Sequence, residues 1–242
     1  MRARYTLPDM LRGVAVISMV LYHTAWDLVY IFGVRWPWFG SAGADIWQAS
    51  IAWTFILLSG FCWALGRHRL RRALLVLACA AAISAVTLIL MPQNAIRFGI
   101  LSLLGTGMLV TIPLDKVFRR VSPYVGLVVC GLLFVLTRHV SAGYLGCGEW
   151  TLALPQQWYA NDLTAYLGLR YAGFFSTDYV PLLPWLFLYW VGCFAYLICV
   201  RWDMMRYLSS FACPPLEWIG RRALLIYMLH QPLIYGALTL VF

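Results

Sequence analysis

Long apolar stretches alternate with short polar segments along the whole chain. Seven of these stretches are close to the length that an α-helix needs to cross a bilayer. They cover, approximately, residues 10–33, 46–65, 72–91, 97–113, 123–138, 181–200 and 221–241. The first stretch is too long for a signal peptide and contains Arg12, His23 and Asp27, so it is predicted to be a membrane helix. The pattern predicts an all-α, polytopic membrane helix bundle with about seven transmembrane helices.

The composition excludes the main soluble alternatives. Hydrophobic residues make up 63% of the chain and charged residues 11%, whereas soluble domains have roughly 45–50% apolar and about 25% charged residues. A water-soluble domain of this size could not bury so much apolar surface. No internal repeat or second domain is apparent, so residues 1–242 are predicted to form a single transmembrane domain. No spacing of His, Cys and carboxylate residues matches a metal site, so no metal is predicted.

The basic residues predict the orientation of the helices. With the N-terminus in the cytoplasm, fourteen of the eighteen lysines and arginines lie on the cytoplasmic side of the seven spans. Such an excess follows the positive-inside rule. The C-terminus would then lie outside. This distribution also explains the net charge of +9 without a nucleic-acid partner.

The predicted outer loop at 139–180 is unusually long and rich in aromatic residues. Long loops in compact domains are often functional. Two compatible interpretations follow: an interfacial helix anchored by an aromatic belt, or a lid whose rings stack on a sugar. The aromatic residues are Trp150, Trp158, Tyr159, Tyr166, Tyr171, Phe174 and Phe175.

Ionisable residues within the first helix are the strongest candidates for a functional site, because such groups are costly in a membrane. The eleven residues from Arg12 to His23 turn a helix almost back into register, about 16 Å further along its axis. Asp9 precedes Arg12 by three residues and Asp27 follows His23 by four, so one stripe presents all four side chains. Arg12 could hold phosphate, and a carboxylate beside a buried His could orient a general base. The alternatives are a topology anchor at Arg12 and a structural polar clamp at His23 and Asp27.

A second polar cluster is predicted in the last helix. Tyr227 and His230 lie three residues apart, and Pro232 leaves a backbone carbonyl without its helical partner, which often marks a polar cavity. The alternative is a packing kink. Arg97 and Asp178 lie at the predicted outer ends of their helices, where they could meet a substrate or a lipid headgroup.

These blocks together resemble a known family. The opening DMLRGVA at 9–15 and HTAWDL at 23–28 are similar to bacterial relatives of heparan-α-glucosaminide N-acetyltransferase. The spacing between Arg12 and His23 is also that of membrane acyltransferases that modify surface polysaccharides. Four later segments of the chain resemble the same family: Ser59-Gly60, IRFGIL at 96–101, DYVPLLPW at 178–185, and residues 219–232, which end in His230-Gln231-Pro232.

The resemblance implies transfer of an acetyl group from cytoplasmic acetyl-CoA to an amino sugar or other glycan on the far side of a bacterial inner membrane. Animal relatives carry their active-site His in the loop after helix 1, but residues 36–41 here contain no His. We therefore predict His23 as the catalytic base with Asp27 as its partner. The residues predicted to bind acetyl-CoA are Arg12, Asp9, Tyr227 and His230, and those predicted to bind the acceptor are Arg97, Asp178 and Gln231.

Two other functions fit the same residues. One is O-acylation of a lipid-linked or polymeric glycan hydroxyl, since the Arg12–His23 spacing fits it equally well. The other is a small proton-coupled transporter, in which intramembrane Asp and His would relay protons; the lack of an inverted repeat argues against it. We expect membrane lipids to surround the helices. The sequence is compatible with a homodimer.

Overall fold

The computed structural model describes residues 5–242, and the described chain is almost entirely helical. This confirms the predicted all-α, polytopic class. Arg2 and Arg4, which contribute to the predicted excess of inner positive charge, lie outside the described residues. The orientation of the chain across the membrane stays a prediction.

The helices follow the predicted apolar stretches closely. The α-helices are α1 (Thr6–Tyr30), α2 (Ala42–Trp63), α3 (Arg69–Leu90), α4 (Ile100–Phe118), α5 (Pro123–Thr137), α6 (Asp162–Leu167), α7 (Leu182–Arg201), α8 (Pro214–Arg221) and α9 (Ala223–Leu238). Strands β1 (Tyr144–Cys147) and β2 (Trp150–Ala153) form an antiparallel hairpin. Short 3₁₀ turns occupy Pro37–Gly40, Pro92–Asn94, Val140–Ala142, Gln156–Trp158 and Met204–Ser209.

Six of the described helices are long and apolar enough to cross a membrane: α1, α2, α3, α4, α5 with the turn that follows it, and α7. The seventh predicted stretch differs. There α9 has 16 residues, about 24 Å of helix against a hydrocarbon core of about 30 Å. The predicted stretch began at Arg221, which is the last residue of α8, and the backbone leaves helical geometry at Arg222 (φ −103°, ψ 12°) before α9 starts.

The chain divides into two compact units. One comprises residues up to Leu58 together with Val200–Phe242, and the other comprises Ser59–Cys199. The boundaries fall within α2 and near the end of α7. The single transmembrane domain inferred from the sequence stays a prediction.

In the first unit, α1 packs against both α8 and α9. The crossing of α1 and α8 is close because it is built on glycine. A Cβ at Gly13 would overlap the backbone carbonyl of Leu216, and a Cβ at Gly220 would overlap that of Asp9. Aromatic residues surround the other side of α1, where Tyr22 contacts Phe39 and Trp47 at ring-centroid distances of 5.1 and 5.2 Å.

In the second unit, α3 packs along α4, and α7 supplies a buried centre. Tyr189 is fully buried, and a Cβ at Gly60 would overlap its backbone carbonyl oxygen. A Cβ at Gly107 would lie 3.4 Å from the Tyr189 ring, an ordinary van der Waals contact. The Trp190 indole N–H donates to the Thr111 hydroxyl at 3.0 Å. Gly60 of α2 therefore lets α7 approach closely, and small residues at helix contacts are common in membrane bundles.

The loop predicted at 139–180 is ordered into the β1–β2 hairpin, α6 and an extended segment. The extended segment runs beside residues 95–98: Thr177 N–H donates to the Ala95 carbonyl at 3.2 Å, and Val180 N–H donates to the Phe98 carbonyl at 3.0 Å. These backbone bonds hold the end of the loop against the start of α4.

Candidate active site

The first unit contains a buried hydrogen bond between α1 and α9. Gln231 Nε2 donates to Asp27 Oδ1 at 2.7 Å, and Asp27 has 0% of its surface exposed. Asp27 Oδ2 and Gln231 Oε1 are also enclosed, and neither accepts a hydrogen bond from the described residues. Buried polar atoms are almost always paired, so two oxygens without a donor mark this position as unusual.

His23 lies one turn before Asp27 and faces α9. Its ring contacts the His230 ring at a centroid distance of 4.9 Å, with the two planes 60° apart. Among the described residues no hydrogen bond joins His23 to Asp27, whose carboxylate is bound by Gln231 instead. Asp27 is therefore held in place by α9, and the two histidines lie side by side.

The Tyr227 backbone orients His230. The Nδ1 atom of His230 lies 2.6 Å from the Tyr227 carbonyl oxygen. A carbonyl oxygen can only accept, so Nδ1 carries the hydrogen and Nε2 is the acceptor of the neutral ring. The Tyr227 ring also contacts the imidazole at a centroid distance of 5.4 Å. The imidazole oriented in this way belongs to a residue two positions before Pro232 of α9, where the sequence predicts a kink.

Asp9 and Arg12 form an ion pair near the start of α1, with Arg12 Nη1 2.8 Å from Asp9 Oδ1. Asp9 is buried, because Gly220 of α8 packs onto its backbone. A guanidinium carries five N–H donors, so the Nη1 contact is compatible with a further phosphate partner. Arg12 lies about 16 Å along α1 from His23.

In the second unit, Arg97 is the centre of an aromatic and acidic cluster. Its guanidinium forms an ion pair with Asp162, hydrogen bonds to Tyr171, and lies 4.9 Å above the Phe174 ring. The Phe98 and Phe174 rings stack with centroids 5.9 Å apart. The rings of the long loop therefore contact one another and Arg97.

Two half-buried tyrosines strengthen this part of the loop. Burial raises the pKa of both Tyr166 and Tyr179, so each phenol keeps its proton and can donate near neutral pH. The Tyr179 hydroxyl donates to the Ala165 carbonyl at 2.6 Å, and the Tyr166 hydroxyl bonds to Thr106 of α4. Both bonds hold α6 in position.

Asp178 lies at the N-terminus of α4, in the same unit as Arg97. Its Oδ2 atom is 3.5 Å from the Ile100 backbone nitrogen, a position where the helix dipole favours a carboxylate. A Cβ at Gly99 would lie 2.8 Å from the same oxygen, so Gly99 makes the approach possible. Phe98 has a positive φ of 56°, which is rare for a bulky residue.

An open depression lies beside this cluster. Its volume is about 580 Å³, and Ala160, Asn161, Asp162, Leu163 and Tyr171 line it. Asp162 and Tyr171 are also the partners of Arg97. A carboxylate, an amide and a phenol on one surface can form hydrogen bonds to sugar hydroxyls or to an amine.

The structure thus sorts the predicted residues into three groups. His23, Asp27, Tyr227, His230 and Gln231 form one cluster. Asp9 and Arg12 form a pair elsewhere on α1 in the same unit, and Arg97 and Asp178 belong to the second unit.

Asp162, Gly13 and Gly220 were not among the site residues predicted from the sequence. Asn161 and Asp162 do have a local signal, since Asn161 caps α6 with its side chain. No local signal marks the glycines as a helix crossing.

The described residues contain no group of three or more His, Cys, Asp or Glu side chains arranged to hold a metal ion. The polar side chains of the α1–α9 cluster are two imidazoles, a carboxylate, an amide and the Tyr227 phenol. This set suits proton transfer and hydrogen bonding.

Comparison with known proteins identifies one family. The family model described as heparan-alpha-glucosaminide N-acetyltransferase, catalytic, matches residues 4–232, which is nearly the whole chain. The match includes every site residue predicted from the sequence. No curated protein and no solved structure matches the chain.

Proposed function

Because the chain belongs to the heparan-alpha-glucosaminide N-acetyltransferase catalytic family, we propose that it transfers an acetyl group from acetyl-CoA to a glycan acceptor, and that the acceptor group is the amine of an amino sugar. The family supports a membrane acyltransferase, and its match to nearly the whole chain favours an enzyme over the proton-coupled transporter. We further propose that the protein resides in a bacterial inner membrane, takes acetyl-CoA from the cytoplasm and acetylates on the outer side.

The observation that carries the proposal is the His23–His230 contact beside the Asp27–Gln231 hydrogen bond. We propose that His23 removes a proton from the amine of the acceptor sugar as the amine nitrogen attacks the thioester carbon of acetyl-CoA. The carbon–sulfur bond then breaks, and the proton passes to the departing CoA thiolate. General base catalysis of this kind requires an imidazole within hydrogen-bond reach of the acceptor.

Asp27 and Gln231 would hold the acceptor. Asp27 Oδ2 and Gln231 Oε1 lack a donor among the described residues, and an amine or hydroxyl provides the N–H or O–H that they need. A buried oxygen that gains its missing hydrogen bond favours binding of a sugar with the correct N–H or O–H group over an analogue without that group. Bringing the acceptor there requires a rearrangement, since both oxygens are enclosed.

The other predicted residues keep their proposed roles. Arg12, held by Asp9, would bind phosphates of acetyl-CoA through the charge-assisted bonds that guanidinium makes. His230 and Tyr227 would contact the thioester. Arg97 and Asp178 would support the depression lined by Asp162 and Tyr171, where an acceptor could first bind.

His230 is a second candidate for the base. Its Nδ1–H is fixed on the Tyr227 carbonyl, which directs the basic Nε2 lone pair away from the backbone. The base can be assigned by comparing His23→Gln with His230→Gln, because Gln can hydrogen bond but cannot accept a proton near neutral pH.

The experiment is acetyl transfer by the purified protein in lipid nanodiscs, with acetyl-CoA as donor and glucosamine or glucose as acceptor, followed by mass spectrometry. We expect acetylated glucosamine from the wild type and a loss of roughly 10²–10⁴-fold in His23→Gln with acetyl-CoA binding retained. Wild-type turnover in folded His23→Gln would assign the base to His230. Binding of acetyl-CoA without transfer or hydrolysis would refute the enzyme, and acetylation of glucose alone would support the O-acyltransferase.

A further inference from the structure

The β1–β2 hairpin has one apolar face. Leu145 pairs with Leu152, and Cys147 pairs with Trp150. Directly paired residues lie on the same side of a sheet, and alternate residues of a strand share a side. Leu145, Cys147, Trp150 and Leu152 therefore share one face, while Tyr144, Gly146, Thr151 and Ala153 share the other.

The apolar face is strongly exposed. Trp150 has 88% of its surface exposed and Leu152 has 67%. The opposite face is attached to the unit through Tyr144, whose ring stacks on His139 with centroids 4.9 Å apart and planes 17° apart. The hairpin is thus held on one face and presents a Trp and a Leu on the other.

The hairpin lies against the end of a membrane-spanning helix. β1 packs against α5, whose C-terminal residue, Thr137, precedes β1 by only a few residues. Large apolar residues along α5 are exposed, and these define the side of the helix that faces lipid: Val125, Val128, Val129, Leu132, Val135 and Leu136. The hairpin therefore begins close to the C-terminal end of this lipid-facing helix.

We propose that the β1–β2 hairpin inserts its apolar face into the boundary between headgroups and acyl chains, in the leaflet where α5 ends. Trp residues concentrate at this depth, because the indole has an apolar body and a polar N–H. Glu149 lies at the hairpin turn, where its carboxylate can remain in the headgroup layer. The ligand of this surface is thus the phospholipid bilayer itself.

The area of the face favours lipid over a second copy of the chain. A stable protein interface buries at least about 1,200 Å² in total. A buried aromatic side chain contributes about 150–250 Å². The face holds one aromatic ring, two leucines and one cysteine, so it is too small to form such an interface by itself. A lipid surface has no such minimum, since the bilayer is always present beside α5.

The test is the depth of spin labels placed on the two faces. Nitroxides are attached at Leu152→Cys or Thr151→Cys, each in the Cys147→Ser background, with the protein in nanodiscs of phosphatidylethanolamine and phosphatidylglycerol. Thr151 is the matched control, because it neighbours Leu152 on the same strand and points to the opposite face. Labelling of the Cys147→Ser background alone measures any reaction of the remaining cysteines, which is subtracted.

For each label we take the ratio of its collision rate with dissolved oxygen to its collision rate with a water-soluble nickel chelate. We expect this ratio to be several-fold higher at position 152 than at position 151. Equal accessibility of both labels to the nickel chelate would show that the hairpin lies in water and would overturn the proposal. Spin–spin broadening at 152 that disappears on dilution with unlabelled protein would also overturn it, because a second copy would then cover the face. Substitutions at these exposed positions leave helix packing intact, so both variants are expected to fold.

Discussion

Gly220→Ala should destabilise the first unit, because the position admits no side chain. A Cβ there would overlap the Asp9 carbonyl oxygen, lie 2.8 Å from the carbonyl carbon of Asp9 and lie 3.0 Å from the Gly13 nitrogen. All three atoms belong to the backbone of α1, so no side-chain rotation can relieve the overlap. The helices must therefore move apart.

The cost follows from the contacts that separation would break. Overpacking a well-filled interior costs about 1–3 kcal/mol, and because every clashing atom is a backbone atom of α1, Gly220→Ala lies at the upper end of this range. Alanine has a higher helix propensity than glycine by up to about 1 kcal/mol, which offsets only part of the cost. We expect a lower midpoint of thermal unfolding in detergent, together with weaker acetyl-CoA binding, because Asp9 and Arg12 lie at the displaced crossing.

Gly236→Ala is the matched control. Gly236 lies within α9 of the same unit, and a Cβ there meets nothing within 4 Å. The substitution therefore adds helix propensity without a clash, so the unfolding midpoint should stay unchanged or rise. Equal midpoints for Gly220→Ala and Gly236→Ala would refute the close crossing of α1 and α8.

Three further predictions concern the proposed site and the topology. Gln231→Leu removes the donor to the buried Asp27 carboxylate and should cost about 1–3 kcal/mol of stability, measured by thermal unfolding; an unchanged midpoint would argue against the hydrogen bond. Arg12→Lys keeps the charge but loses the planar fork, so acetyl-CoA affinity should fall by about 1–2 kcal/mol, or roughly 5–30-fold, in a calorimetric titration; unchanged affinity would return Arg12 to the role of topology anchor. A reporter active only in the cytoplasm should work when fused after Arg72 or Arg120 and fail within residues 139–180; activity from that loop would contradict the predicted orientation.

The membrane helices were predictable because length and apolarity are local properties. Each of the first six predicted spans overlaps a helix of suitable length. Helix starts also carry local signals, as where Pro123 occupies the first position of α5. The stripe on α1 follows from helical periodicity, which places Asp9 beside Arg12 in the structure.

The partners of the site residues were not predictable, because they lie far apart in the chain. Gln231 and Asp27 are separated by 204 residues. The spacing of four residues favoured a bond between Asp27 and His23, yet α9 brings an amide that binds the carboxylate instead. Arg97 likewise pairs with Asp162 of α6, and no periodicity relates these two positions. Side-chain partners across elements depend on how the helices pack.

The two polar groups of α1 have one structural feature in common that bears on the proposed chemistry. Asp9 is enclosed by Gly220 of α8, and Asp27 is bound by Gln231 of α9. Since α8 and α9 are consecutive and only Arg222 separates them, one C-terminal segment holds both ends of the α1 stripe. The distance from Arg12 to His23 is therefore set by a continuous helix, about 16 Å along its axis. Acetyl-CoA bound at Arg12 would therefore lie at a fixed distance from His23. A substitution that displaces α8 should impair acetyl-CoA binding and acetyl transfer together, whereas His23→Gln should impair transfer alone.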